Sequence, residues 1–276
     1  MNHVIRLIAI DLDGTLLTSG QSVSPASRAA IQRAAQAGIQ AILVTGRGSV
    51  GAETVLNMLE MDLPYISSAG SLIRSGKNGE VISRRPFQTP EQINEVIAYV
   101  RHHEAGLIAD LPNGKLCWYG PDGLLDELDP LTAASARGSV RTFVPERDFD
   151  HPILKMSIAG EMDFLQAIEA DVLKKLDALH HVYAGLQYID LTAQGVDKGS
   201  ALKIYAEHEN ISLTNIATIG DQPIDLSMFK ISGLSIAMGN APEAIKAATN
   251  WIAPSNDQDG VAWTIDKILG TTAGQP

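Results

Sequence analysis

Ile5-Arg6-Leu7-Ile8-Ala9-Ile10-Asp11-Leu12-Asp13-Gly14-Thr15 is an apolar run, broken only by Arg6, that ends in two carboxylates two residues apart and then Gly and Thr. A strand with one wet face alternates polar and apolar residues. This one does not, so it reads as a strand buried on both faces, the pattern of a parallel sheet covered by helices. Acidic groups after such a strand lie at the carboxyl edge of the sheet, where open α/β folds bind ligands. Asp and Gly are also ordinary turn residues, so the residues at the ends of the other strands decide between the two readings.

Working outward, Ser24-Pro25 is a capping serine with proline at the first helical position. The helix it opens carries Ala29, Ala30, Ile31, Ala34 and Ala35 and stops at Gly38. Ile39–Val44 is a second apolar strand, ending in Thr45-Gly46-Arg47. A helix over roughly Ser49–Leu59 and a short strand Tyr65–Ser67 lead to Ala69-Gly70-Ser71. Strands and helices alternating over short links predict a parallel sheet with right-handed crossovers.

The alternation lapses at Thr89-Pro90-Glu91, which opens a helix through Arg101. Gly106–Asp110 and Lys115–Tyr119 flank Pro112-Asn113-Gly114, a hairpin signal. A polar, irregular stretch over Gly120–Pro152 precedes strand Ile153–Ala159, a helix over about Met162–Leu176, and strands near Val182 and Gln187–Ile189. Regular alternation resumes with helix Lys198–His208, strand Asn215–Ile219 ending in Gly220-Asp221, and strand Leu234–Ala237. A helix from Pro242, strand Trp251–Ala253 and a last helix from Gly260 complete the chain. The expected fold is α/β: a doubly wound parallel sheet over 1–83 and 191–276, with an α+β domain inserted over 84–190.

A chain of 276 residues, 45% apolar and 19% charged, has ordinary globular composition. Its net charge of −11, without a basic run, argues against nucleic acid as a partner. The single cysteine, Cys117, rules out an internal disulfide and a cysteine-rich zinc site, and fits a reducing compartment. Val4–Ile10 is too short for a signal core, and no later stretch has the length to span a bilayer. A cytoplasmic protein with no membrane partner is expected.

Asp11 and Asp13, Thr45, Lys198, and Asp221 with Asp225 are groups that a doubly wound sheet can gather in one cleft. They suit phosphoryl transfer. One carboxylate attacks phosphorus and forms an aspartyl-phosphate; a second, near the leaving oxygen, serves as acid and later as base. Several carboxylates around a phosphate require a hard dication such as Mg²⁺. Lys198 neutralises charge, while the Thr45 hydroxyl and backbone N–H groups hold phosphate oxygens.

In chain order, Asp11-Leu12-Asp13-Gly14-Thr15, Thr45-Gly46-Arg47, Asp197-Lys198-Gly199 and Gly220-Asp221-Gln222-Pro223-Ile224-Asp225 resemble the four motifs of the haloacid dehalogenase (HAD) superfamily. The insert between the second and third motifs resembles the C2-type cap of the Cof-type (subfamily IIB) sugar-phosphatase branch. So do Ala237-Met238-Gly239-Asn240-Ala241-Pro242, Ser255-Asn256 and Asp259-Gly260-Val261-Ala262. The resemblance implies a Rossmann-like core and Mg²⁺-dependent hydrolysis of a small phosphorylated metabolite, a sugar phosphate first. It implies Asp11 as nucleophile and metal ligand, and Asp13 as general acid/base giving its backbone carbonyl to the metal. Asp221 is then the remaining direct ligand and Asp225 supports the metal. Thr45, Gly46 and Lys198 contact phosphate, Arg47 reaches substrate or braces its loop, and the cap reads the leaving group.

Two positions depart from the family pattern: Ile224 and Ala69 stand where Asn is usual. Each departure removes a polar contact, weakening transition-state stabilisation by about 1–3 kcal/mol. They leave open a sensor that binds a phosphometabolite without turning it over, and a phosphomutase is a near neighbour. A signalling receiver domain uses similar residues but has no use for Asp13 or a hundred-residue cap.

The remaining candidates read more simply. His102-His103 and His180-His181 are adjacent pairs whose side chains diverge, poor geometry for a metal. Glu91 and Glu95 are helix-surface charges. Trp118, Tyr119 and Tyr188 read as core packing more readily than as cap lining, and Cys117 as a small buried hydrophobe.

Overall fold

The structure, a computed structural model, describes residues 4–87, 90–103, 105–112, 116–120, 140–142, 152–184 and 187–270. Its first strand, β1 (Leu7–Ile10), is fully buried, and its side chains divide between two cores. Ile8 and Ile10 join one hydrophobic cluster, Leu7 and Ala9 another. Side chains alternate as in any strand; polar residues are missing because both faces are covered.

The next elements follow the expected order: α1 (Pro25–Gln36), β2 (Gln40–Val44), α2 (Ser49–Leu59) and β3 (Tyr65–Ser67). Ser24 caps α1, its hydroxyl accepting the Ser27 N–H at 3.0 Å. Two further strands, β4 (Leu72–Arg74) and β5 (Val81–Arg84), extend the sheet antiparallel beyond β3. Sequence reading passes over them because they are three and four residues long and mix Arg and Ser with apolar residues.

The inserted block holds α3 (Pro90–His102), β6 (Gly106–Asp110), β7 (Leu116–Tyr119), β8 (Val140–Thr142), β9 (Lys155–Ala159), α4 (Met162–Asp171), β10 (Leu179–Tyr183) and β11 (Tyr188–Ala193). β6 and β7 pair antiparallel, while the Asn113-Gly114 turn, Thr89 and most of 120–152 lie outside the described residues. Within the stretch read as irregular, β8 is a strand parallel to β7. α4 also ends earlier than expected. The chain leaves it at Val172 and makes a tight turn over Leu173–Lys175, which buries Leu173 and Leu176 in the local core. The chain closes with α5 (Lys198–His208), β12 (Ile216–Gly220), α6 (Leu226–Phe229), β13 (Leu234–Ala237), α7 (Glu243–Lys246), β14 (Trp251–Ile252) and α8 (Gly260–Leu269).

Two sheets result. The larger runs β14-β13-β12-β1-β2-β3-β4-β5, parallel from β14 to β3; the smaller runs β10-β11-β9-β6-β7-β8. Residues of α1, α2 and α8 pack into the Ile8 cluster, and those of α5, α6 and α7 into the Leu7 cluster. The larger sheet is therefore doubly wound. Strand order reverses direction around β1, and such a switch point opens a crevice at the carboxyl ends of the strands.

Candidate active site

Register brings the motifs together. Ile10 lies beside Leu43 of β2 and Ile219 of β12. The three chains therefore leave the sheet at one level, as Asp11, Thr45 and Asp221. After Asp11 the chain makes a wide turn over Leu12–Leu16 in which Gly14 has φ +70°. A side chain at Gly14 would overlap the Asp221 carboxylate, so glycine is required by both backbone and space. Thr15 donates to Asp221 Oδ1 at 3.1 Å.

Lys198 begins α5, a placement the helix dipole disfavours for a cation. The Asp197 side chain caps the helix by accepting the Ser200 N–H at 2.6 Å. Lys198 is 1% exposed, and its ammonium donates to Asp11 Oδ1 and Asp225 Oδ1, each at 2.6 Å. Burial alone pushes this ammonium down, but attraction to Asp11 and Asp225 outweighs it and the net shift is upward. The other Asp225 oxygen accepts the Asp221 and Gln222 N–H groups at 3.0 Å.

Carboxylate oxygens of Asp11, Asp221 and Asp225 lie within 4.8 Å of one another. Burial, then repulsion from Asp225, raises the Asp11 carboxyl well above its ordinary range, against the pull of Lys198. The same two causes push Asp221 up to about 6. Three carboxylates around one ammonium leave a net negative, all-oxygen cluster, and that donor set fits a hard dication.

The remaining residues sit around this cluster. Asp13 lies to one side, partly exposed, its carboxylate bound by Arg47, whose Nε donates at 2.7 Å and whose guanidinium also reaches Gln21. Thr45 is buried and its hydroxyl accepts the Arg47 N–H at 3.0 Å. Gly46 faces the smaller sheet: a Cβ there would lie 3.3 Å from Asp190 Oδ2 and 3.7 Å from Ile224 Cδ1. Ala69 is buried beside the loop, in a left-handed conformation at φ +54°.

Sequence reading missed the braces of the site. Gln222 Nε2 donates to Asp221 Oδ2 at 3.0 Å, and Asn240 Nδ2 to the Gly14 carbonyl at 2.9 Å. Asn240 lies in the family-like stretch Ala237–Pro242, and its distance in sequence from Gly14 hid the contact. Among the described residues neither histidine pair enters an acidic or metal-type cluster. His103 stacks on Tyr99 with ring centroids 4.2 Å apart, and His181 lies 3.5 Å from Glu169. Glu95 is exposed and Tyr188 half-buried, whereas the side chains of Glu91, Cys117, Trp118 and Tyr119 lie outside the described residues. No helix among the described residues is long and apolar enough to cross a membrane.

A family model described as haloacid dehalogenase-like hydrolase matches residues 8–265. The 5-amino-6-(5-phospho-D-ribitylamino)uracil phosphatase YwtE of Bacillus subtilis is 30% identical, over 96% of this chain and 98% of its own. Pyridoxal phosphate phosphatase YbhA of Escherichia coli is 28% identical, over 93% and 96%. A crystal structure of a haloacid dehalogenase-like hydrolase from Bacteroides thetaiotaomicron superposes with a TM-score of 0.82 at 26% identity, covering 96% of this chain and 99% of that one.

Proposed function

Because the chain belongs to the haloacid dehalogenase-like hydrolases and is a phosphoric monoester hydrolase, we propose that it hydrolyses a small phosphorylated metabolite through an aspartyl-phosphate on Asp11, with Mg²⁺ as cofactor. The observation that carries this reading is the buried Asp11–Lys198–Asp225 bridge with Asp221 alongside. Asp11, Asp221 and Asp225 would hold the dication, with the Asp13 backbone carbonyl, and its charge would stabilise the phosphoryl oxygens.

The chain's own groups divide the remaining work. Asp11 attacks phosphorus; Lys198 pulls that carboxylate toward its ionised form, aims it and offsets charge on the phosphoryl group. Thr45 and the Gly46 N–H bind phosphate oxygens. Asp13 protonates the leaving oxygen and then takes a proton from water. Arg47 positions Asp13 for that exchange, a bracing role favoured over direct substrate contact by its ion pair. The described part of residues 84–190 would serve as the cap over the cleft. A sugar phosphate is one candidate substrate; the names of the relatives add phosphates that carry a heteroaromatic ring.

The test is phosphate release from a panel of metabolite phosphates with Mg²⁺ or EDTA, using wild type and Asp11→Asn. Metal-dependent turnover abolished in the variant is expected. A folded wild type silent across the panel would favour the sensor reading, to which Ile224 and Ala69 point, and a requirement for a bisphosphate would indicate a mutase.

A further inference from the structure

A cavity of about 220 Å³ opens near the phosphate loop; its apolar lining includes Ala69, Val182, Ile224 and Leu226, and its polar lining includes Asp190 and His180 together with Lys230. Two of its lining residues, Asp190 and Ile224, approach Gly46 of the loop. Asp190 belongs to β11 and is 4% exposed. Its Oδ1 accepts the Ser157 hydroxyl at 2.6 Å and the Lys155 ammonium at 3.1 Å; among the described residues its Oδ2 accepts Lys155 alone, at 3.1 Å. A carboxylate oxygen accepts two bonds, so Oδ2 has capacity for one more donor from the cavity.

Structure alone does not call for this ion pair. Apolar residues fill a buried space at least as well as paired charges. The apolar wall limits what fits: hydroxyls turned toward Ile224 and Ala69 would lose hydrogen bonds to water without replacement. For scale, an apolar cavity of about 150 Å³ accepts benzene.

We propose that Asp190, held by Lys155 and Ser157, is a specificity-determining residue that accepts a hydrogen bond from the leaving group. The leaving group is then a ring that sets an apolar face on Ile224 and Ala69 and a hydroxyl or amine on Asp190, rather than a fully hydroxylated sugar. This rests on the phosphatase reading of the adjoining site.

The experiment compares kcat/KM for pyridoxal phosphate, a hydroxyl-bearing ring, with that for glucose-6-phosphate. The ring ester is the better substrate of the wild type. Asp190→Asn lowers the ring-to-sugar ratio about tenfold or more, as loss of a bond to a charged group does, and Ile224→Asn lowers it by favouring the sugar. Since Asp190→Asn removes one partner of the Lys155 charge, the double variant Lys155→Met/Asp190→Asn is measured beside it, with folding checked by circular dichroism. A ratio within about threefold of wild type in the folded variants overturns the proposal while leaving the phosphatase intact. If wild type turns over neither ester, the phosphatase reading is decided by the wider panel, and calorimetry of both esters with Asp11→Asn decides the inference. Ring preference lost on Asp190 substitution supports it; equal binding overturns it.

Discussion

Asp221 shows how a single residue records the chemistry of its site. Its carboxyl is pushed up to about 6 by burial and then by Asp225, so the folded site keeps a proton that the unfolded chain has released. The stability from that proton is present at low pH and lost as pH rises toward 6, and a dication restores it by replacing the proton. The expected outcome is a Mg²⁺-induced rise in Tm that is large near pH 7.5 and shrinks below about pH 6. Equal shifts at about pH 5 and pH 7.5 in a thermal melt would contradict the assignment of this cluster as the cation site. Asp11, Thr45, Lys198, Asp221 and Asp225 were legible because each follows a strand or opens a helix. Gln222, Asn240 and Asp190 were not, since their contacts depend on side-chain direction and long-range packing.

At the scale of elements, α5 illustrates how local rules serve a distant site. Asp197 and Ser200 form a reciprocal cap, Ser200 Oγ accepting the Asp197 N–H at 3.0 Å in return, and this holds Lys198 against an unfavourable dipole. Asp197→Ala should lower stability by about 1 kcal/mol in urea unfolding and reduce kcat as the ammonium loses its fixed origin. A variant with lowered stability and full kcat would show that the cap matters only for folding. Helix α1 was readable from Ser24, Pro25, its apolar residues and Gly38. The end of α4 was not, because burial of Leu173 and Leu176 decides where that chain turns.

Across the whole molecule, apolar residues gather in separate cores, and the smaller sheet has its own, around Ile158, Leu165 and Leu191. Ile158→Ala, at a fully buried position, is expected to lose about 2–5 kcal/mol. Hydrogen exchange should place that loss in β6, β9 and β11 and spare β1 and β12; a uniform increase in exchange would mean that the two cores unfold as one. Sequence alone determined the doubly wound core and the order of the phosphoryl-transfer motifs, because hydrophobic period, caps and turn residues are local signals. Tertiary structure decided the added edge strands, the pairing of Arg47 with Asp13 and the meeting of Asp190 with Ile224 at Gly46. Those outcomes depend on strand register and on packing between residues far apart in the chain, and no local pattern encodes either.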